Sequence, residues 1–180
     1  CFTNLTIHNV AFEEAYLEDL DFDVVVAASS IHWIPANVAF PKAAQALKVG
    51  GTLILLWNMM VTPTSPDVFI KLHQAHGNDF SSLLEWSDEQ TQKDVAHAVR
   101  DLMMASGYFQ DLRTNEVRQT LIYNAVQYLG LLSTYSCYMR LSCDDQHALF
   151  KRIRIVIDHD FGGTIELSHV SLYHAATKKH

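Results

Sequence analysis

An α/β fold built on a parallel sheet is what the sequence predicts, and two apolar runs with the stretch between them predict it. The first run, Phe22-Asp-Val-Val-Val-Ala-Ala, passes through consecutive β-branched and small residues. The second, Thr52-Leu-Ile-Leu-Leu-Trp-Asn, is of the same kind. Runs this apolar suit strands covered on both faces, as in a parallel sheet. Between them Ala39, Ala43, Ala46 and Leu47 recur at helical spacing, and Val49-Gly50-Gly51 is read as the stop. Strand, helix, glycine turn and strand make one βαβ unit, whose crossover should be right-handed.

The other elements follow in chain order. Residues 5–10, Leu-Thr-Ile-His-Asn-Val, alternate apolar and polar and read as an edge or half-buried strand. Phe12-Glu13-Glu14 and the acidic Glu18-Asp19-Leu20-Asp21 connect it to the first run. Pro35 and Asn37 open the crossover helix, with Pro41 early in it, where a missing N–H costs least. Ser65-Pro66 starts a helix that ends near Gly77, with cap and proline in their favoured places. Ser87-Asp88-Glu89-Gln90 is a capping box for a longer helix closed by Gly107. Residues 118–123 form a third strand, then helices occupy residues 125–133 and 144–160, the second capped by Ser142-x-x-Asp145. Gly162-Gly163 turns the chain into a last strand, residues 164–176.

Composition narrows the class. A chain of 180 residues, 49% hydrophobic and 18% charged, suits one globular domain with a real core. Net charge is −7, and the thirteen basic residues are scattered apart from Lys151-Arg152-Ile-Arg154 and Lys178-Lys179, which disfavours a nucleic-acid partner. No apolar run approaches the length of a membrane span and no signal peptide is visible, so no membrane partner is expected. Cys1, Cys137 and Cys143 form no CxxC and cannot all pair, which points to unpaired thiols and a cytoplasmic location. The dispersed histidines, His73-x-x-His76 and His169-x4-His174 included, lack acidic or Cys partners at ligand spacing and read as surface or core residues rather than a metal site. Cys1-Phe2-Thr3-Asn4 lacks a Met and leads almost at once into strand-like sequence, so the chain reads as a piece of a longer protein.

Ligands of open α/β sheets sit beyond the carboxyl ends of the strands. That directs attention to Ser29, Ser30, His32 and Trp33 after the first run, and to Trp57 and Asn58 at the end of the second.

Three blocks in order carry a family likeness: Asn9-Val-Ala-Phe-Glu-Glu, Phe22-Asp-Val-Val-Val-Ala-Ala-Ser-Ser-Ile-His-Trp-Ile and Ala46-Leu-Lys-Val-Gly-Gly-Thr-Leu-Ile-Leu-Leu-Trp-Asn. Together they resemble class I S-adenosylmethionine-dependent methyltransferases, of the type 11 or trans-aconitate methyltransferase-like branch. The run Leu129-Gly-Leu-Leu-Ser-Thr-Tyr-Ser resembles the helical insertion such proteins carry between their last two strands. The resemblance implies a Rossmann-like sheet, mostly parallel with an antiparallel last strand. Residues 5–10, 22–28 and 52–58 would be its third, fourth and fifth strands, and residues 118–123 and 164–176 its final pair. It also implies that the sheet's first strands precede residue 1. With them would go the glycine-rich cofactor loop and the acidic residue that binds the ribose. The strand at residues 22–28 would then keep an unpaired edge, and the piece alone is expected to be poorly stable and unable to bind cofactor. The turn Gln45-Ala-Leu-Lys-Val-Gly-Gly also departs from the family's usual Arg-x-Leu-Lys-Pro-Gly-Gly.

The same resemblance assigns candidate site residues. Ala11, Phe12 and Glu13 would pass the adenine, Phe12 against the ring; Phe12 equally suits a core position at a strand end. Ala28 and Ser29 would let backbone approach the methionyl part of the cofactor, and small residues also fit a crowded sheet. His32 and Trp33 would face the substrate. His32 suits a base for a hydroxyl acceptor, since its ordinary pKa lies near neutrality, or a hydrogen-bonding group for a carboxylate; it also suits simple packing on Trp33. Tyr135, Ser136, Tyr138 and Arg140 would roof the pocket. The implied function is S-adenosyl-L-methionine-dependent methyl transfer to a small-molecule substrate, a carboxylate or hydroxyl. The alternative is a non-catalytic binding protein on a degenerate methyltransferase fold. A dehydrogenase half shares the βαβ pattern but would need a dinucleotide fingerprint, which is missing here.

Overall fold

The computed structural model describes residues 4–17, 22–59, 61–84 and 89–180. The expected capping box over residues 87–90 and the acidic lead-in over residues 18–21 lie wholly or partly outside them, as does Cys1.

The βαβ unit forms as the apolar pattern requires. Strand β1 (Phe22–Ala28) lies parallel to β2 (Leu47–Asn58), with Val24 opposite Thr52, Val26 opposite Ile54 and Ala28 opposite Leu56. Helix α1 (Ala36–Ala46) connects them and buries Ala39, Phe40, Ala43, Ala44 and Ala46. Pro41 falls inside the helix rather than in its first turn, so one interior N–H is lost.

The glycine pair differs from its reading as a helix stop. The helix ends at Ala46 and β2 begins at Leu47, so both glycines lie within the strand. Phe22 opposes Leu47 and Val24 opposes Thr52, which leaves residues 48–51 bulged out. Gly50 takes φ +77°, and a Cβ on Gly51 would stand 2.9 Å from the Lys48 carbonyl and 3.1 Å from that of Phe22. Lys48 and Asp23 pair across the bulge at 2.8 Å, which holds the Asp23 carboxyl below its usual range.

The remaining strands complete a mixed sheet. The order is β1-β2-β5-β3, with β4 (Phe109–Asn124) also paired to β5 (Thr164–Lys178), and β3 (Thr62–Pro63) runs antiparallel to β5. Among the described residues β1 therefore stands at an edge. Residues 5–10 form no strand, contrary to expectation: Leu5 and Ile7 are exposed and no ladder partner lies beside them among the described residues. Alternating sequence without a neighbour has no hydrogen-bond ladder to join.

Two compact units divide the chain. The first draws on Cys1–Trp57, Ala96–Asn115 and Tyr173–His180, the second on Asn58–Val95 and Glu116–Leu172. Besides the βαβ unit, the first holds residues 96–105 of helix α3 (Glu89–Ala105), where Ala96, Val99 and Met103 are buried. His174 is wholly buried there, with Nδ1 2.8 Å from Thr114 Oγ1 and its ring edge-on to Trp57. Burial, with Arg100 and His97 nearby, pushes the His174 imidazole down to about 4.

The second unit is mainly helical. α2 (Pro66–His76) starts behind Ser65 and stops at Gly77, whose φ of +64° few side chains tolerate. The insertion between β4 and β5 comprises α4 (Ala125–Leu132), α5 (Ser136–Met139) and α6 (Cys143–Ile155). Asn124 and Gln127 form a reciprocal capping box on α4, and Ser142 caps α6 by accepting from the Asp145 N–H at 3.1 Å. Leu72, Tyr128, Leu132, Tyr138, Leu149, Ile153 and Leu167 meet in its core. The His76 imidazole is buried among them. Nδ1 donates to the Leu72 carbonyl at 2.7 Å, so Nε2 is the acceptor of the Tyr138 hydroxyl at 2.8 Å. Burial lowers the His76 pKa, as the neutral tautomer in this arrangement requires.

Candidate functional site

The first unit carries the expected site residues, on two segments. Residues 11–15 form a tight turn: the N–H groups of Glu14 and Ala15 donate to the Ala11 carbonyl at 3.0 and 2.9 Å. Lys42 of α1 secures this turn, its Nζ donating to the Glu13 carbonyl at 2.5 Å and lying 5.9 Å from the centre of the half-buried Phe12 ring. That cation over the ring is a contact the sequence reading missed. Ala11 and Glu13 are exposed. Phe12 thus does local work already, as one side of its ring faces the Lys42 ammonium.

The second segment begins where β1 ends. Ala28 is the last strand residue and is exposed. Ser29 follows at φ +45°, a left-handed conformation uncommon in residues other than glycine, while its N–H still donates to the Leu56 carbonyl at 2.8 Å. The ladder therefore continues into a residue whose backbone has already turned. Such strain persists only where its surroundings impose it, and it gathers at ligand sites. One short 3-10 turn, Ile31–Trp33, comes next, held by the Trp33 N–H to the Ser30 carbonyl at 3.1 Å. Ile31 is buried and anchors the turn.

Anchoring Ile31 leaves its two neighbours outward. Trp33 is 76% exposed, and the His32 ring lies against it, centroids 5.0 Å apart and planes 39° apart. Partial desolvation lowers the His32 pKa, which favours the neutral imidazole that can accept a proton. An exposed tryptophan with a histidine ring tilted against it can shape a pocket wall and offer a polar atom at its edge. Of the expected residues, His32 and Trp33 touch, and Ala28 and Ser29 adjoin them through a strained corner. Ala11, Phe12 and Glu13 stand on their own turn.

Trp57 is buried rather than at an open rim, with its ring against His174, while Asn58 is exposed and accepts from the Ser171 hydroxyl at 2.6 Å. The residues expected to roof the pocket all lie in the second unit. Tyr138 is a core residue, and the half-buried Tyr135 accepts from the Val61 N–H at 3.4 Å; Ser136 and Arg140 are exposed. No group of three metal-ligating side chains occurs among the described residues.

Comparison with known proteins agrees with this architecture. No protein-family profile matches the chain. A stretch of 46 residues is 41% identical to uncharacterized methyltransferases of Mycobacterium bovis and Mycobacterium tuberculosis, covering 26% of this chain and 19% of theirs. In three dimensions all of the chain superposes on 75% of a protein from Anaeromyxobacter dehalogenans described as a type II methyltransferase, at a TM-score of 0.62 and 14% identity. A protein from Anabaena variabilis, described as a methyltransferase of an antibiotic biosynthesis pathway, matches at a TM-score of 0.53 and 13% identity over 93% of this chain and 74% of its own. The chain thus has the Rossmann-like α/β fold of these methyltransferases, a mixed sheet with several helices.

Proposed function

We propose that this chain belongs to an enzyme that transfers a methyl group from S-adenosyl-L-methionine to a small-molecule acceptor carrying a carboxylate or hydroxyl. The observation that carries the proposal is the strained corner at Ser29, which ends β1 and turns His32 and Trp33 outward from its carboxyl end. The methyltransferase fold of the chain supports the reaction class.

The residues present suit one side of the cofactor. The left-handed Ser29 and the small Ala28 let backbone come close to a ligand, and the 11–15 turn offers an aromatic ring. The glycine-rich loop and ribose-binding carboxylate of the family are not among these 180 residues, so the chain supplies part of the site. When bound, the cofactor supplies an electrophilic methyl on a sulfonium. The chain's own residues position and orient. Trp33 walls the acceptor and excludes water, alignment being a large share of catalysis for a displacement. Neutral His32 takes the proton of a hydroxyl acceptor or donates a hydrogen bond to a carboxylate.

Calorimetry with S-adenosyl-L-methionine tests this, on the chain and on a longer form that includes a glycine-rich loop. Binding by the longer form, weakened by Phe12→Ala, is the expected result. Binding unaffected by Phe12→Ala would remove the adenine from the 11–15 turn. Failure of both forms to bind would favour a non-catalytic binding protein.

A further inference from the structure

The second unit contains a groove of about 670 Å³ between α4 and α6, a size that small-molecule sites share. Its floor is Leu129 and the half-buried Phe150. One flank is α6, where His147, Lys151 and Arg154 follow at four- and three-residue spacing and so share a helix face. Lys151 and Arg154 have no ion-pair partner among the described residues, and no acidic residue lines the groove. Asp145, on the first turn of α6, is engaged with Ser142. Asp144 and Asp158 continue the same spacing at the two ends of this face but do not line the groove, so within the groove the charged lining is basic, above an apolar floor.

The opposite flank holds Gly130, sixth of the eight residues of α4. Glycine inside a helix costs stability relative to alanine, and it is usually retained where a backbone must turn or a neighbour must come close. Neither applies here. Gly130 does not have the positive φ of the turn glycines, and nothing lies within 4 Å of where its Cβ would be. The missing side chain keeps the groove open.

We propose that the α4–α6 groove is a binding site for a small amphiphilic anion. The apolar body lies on Leu129 and Phe150 over Gly130, and the charged head is held by Lys151 and Arg154. Two cations suit a carboxylate or phosphate head, and Arg154 offers the bidentate geometry both accept. None of these residues belongs to the site around Ser29, so this proposal stands or falls apart from the methyl-transfer reading.

Calorimetric titration of the protein with octanoate, octyl phosphate, octan-1-ol and inorganic phosphate provides the test. At least one of the two amphiphilic anions should bind at least tenfold tighter than octanol and than inorganic phosphate, and the tighter of the two names the head. Lys151→Ala with Arg154→Ala should lower that affinity tenfold or more, with octanol binding unchanged. Gly130→Trp should abolish binding by filling the groove. The double variant changes exposed side chains only, so it decides the matter even if the tryptophan disturbs the helix. Neither amphiphile binding, octanol binding as tightly, phosphate alone binding as tightly, or unchanged affinity in the double variant would each overturn the proposal.

Discussion

β1 and β2 have the same kind of sequence and opposite fates. Both are runs of β-branched and aliphatic residues, and they pair in parallel. In β2, Leu47, Gly51, Leu53, Leu55 and Trp57 are buried. In β1 no residue is, and Phe22, Val24 and Val26 on one face are 42%, 47% and 55% exposed. Among the described residues β2 lies between two strands, whereas β1 has one neighbour and an open edge. An apolar run records how much surface a strand can bury, while the neighbours decide how much it does bury.

The sharpest way to break this comparison is a pair of truncations. Leu55→Ala, at a fully buried position, should cost about 2–5 kcal/mol, since it removes transfer energy and leaves a cavity. Val26→Ala should cost under ~1 kcal/mol, as most of that side chain is already in water. Denaturant midpoints on the two variants measure both; equal costs would mean that β1 is covered in solution.

A second prediction concerns the join between the strands. Gly51→Ala should destabilise by about 1–3 kcal/mol, because its Cβ would press on the carbonyls of Lys48 and Phe22 and push β1 from β2. Gly50→Ala tests a different cost at the neighbouring residue, where space is open and only φ +77° resists.

A smaller effect depends on pH and belongs to β2, through the contact of Trp57 with His174. The folded His174 titrates at about 4, below its ordinary 6.5, so the fold favours the neutral ring. Its contribution is fully present above pH 6.5 and is lost as pH falls through about 4. Unfolding free energy should therefore decline across that window, and His174→Gln should flatten the decline. An unchanged slope in the variant would assign the acid sensitivity elsewhere.

The smallest stability change is expected on the open edge. Val24→Lys with Val26→Lys should alter unfolding free energy by no more than about 0.5 kcal/mol per site while reducing light scattering on concentration, since charge blunts edge pairing. Increased scattering would indicate that the exposed face is a native contact.

Much of the fold was legible because local signals and tertiary neighbours agreed. Ser65-Pro66 with Gly77, and the Ser142-x-x-Asp145 cap, marked helix ends that the structure keeps. β4 was only partly legible: residues 118–123 read as strand, yet it begins at Phe109. Residues 111–122 are exposed throughout, so side-chain burial left little pattern, and pairing with β5 holds the strand. Of the candidate site, the His32-Trp33 pair and the small residues before it were readable from their place after an apolar run. The left-handed Ser29, the Lys42 contact with Phe12 and the burial of Tyr138 were not, because each depends on what the rest of the chain brings alongside.

The sequence by itself determined the α/β class, the βαβ unit and most helix boundaries, through periodicity, caps and glycines that act over a few residues. It also determined that an aromatic pair follows the first strand. Only the tertiary structure decided that this strand is an exposed edge, that Gly50 and Gly51 bulge β2 instead of ending α1, and that a strained serine aims His32 and Trp33 outward. Those outcomes depend on hydrogen-bond partners and packing neighbours far away in the chain, and local sequence does not encode them.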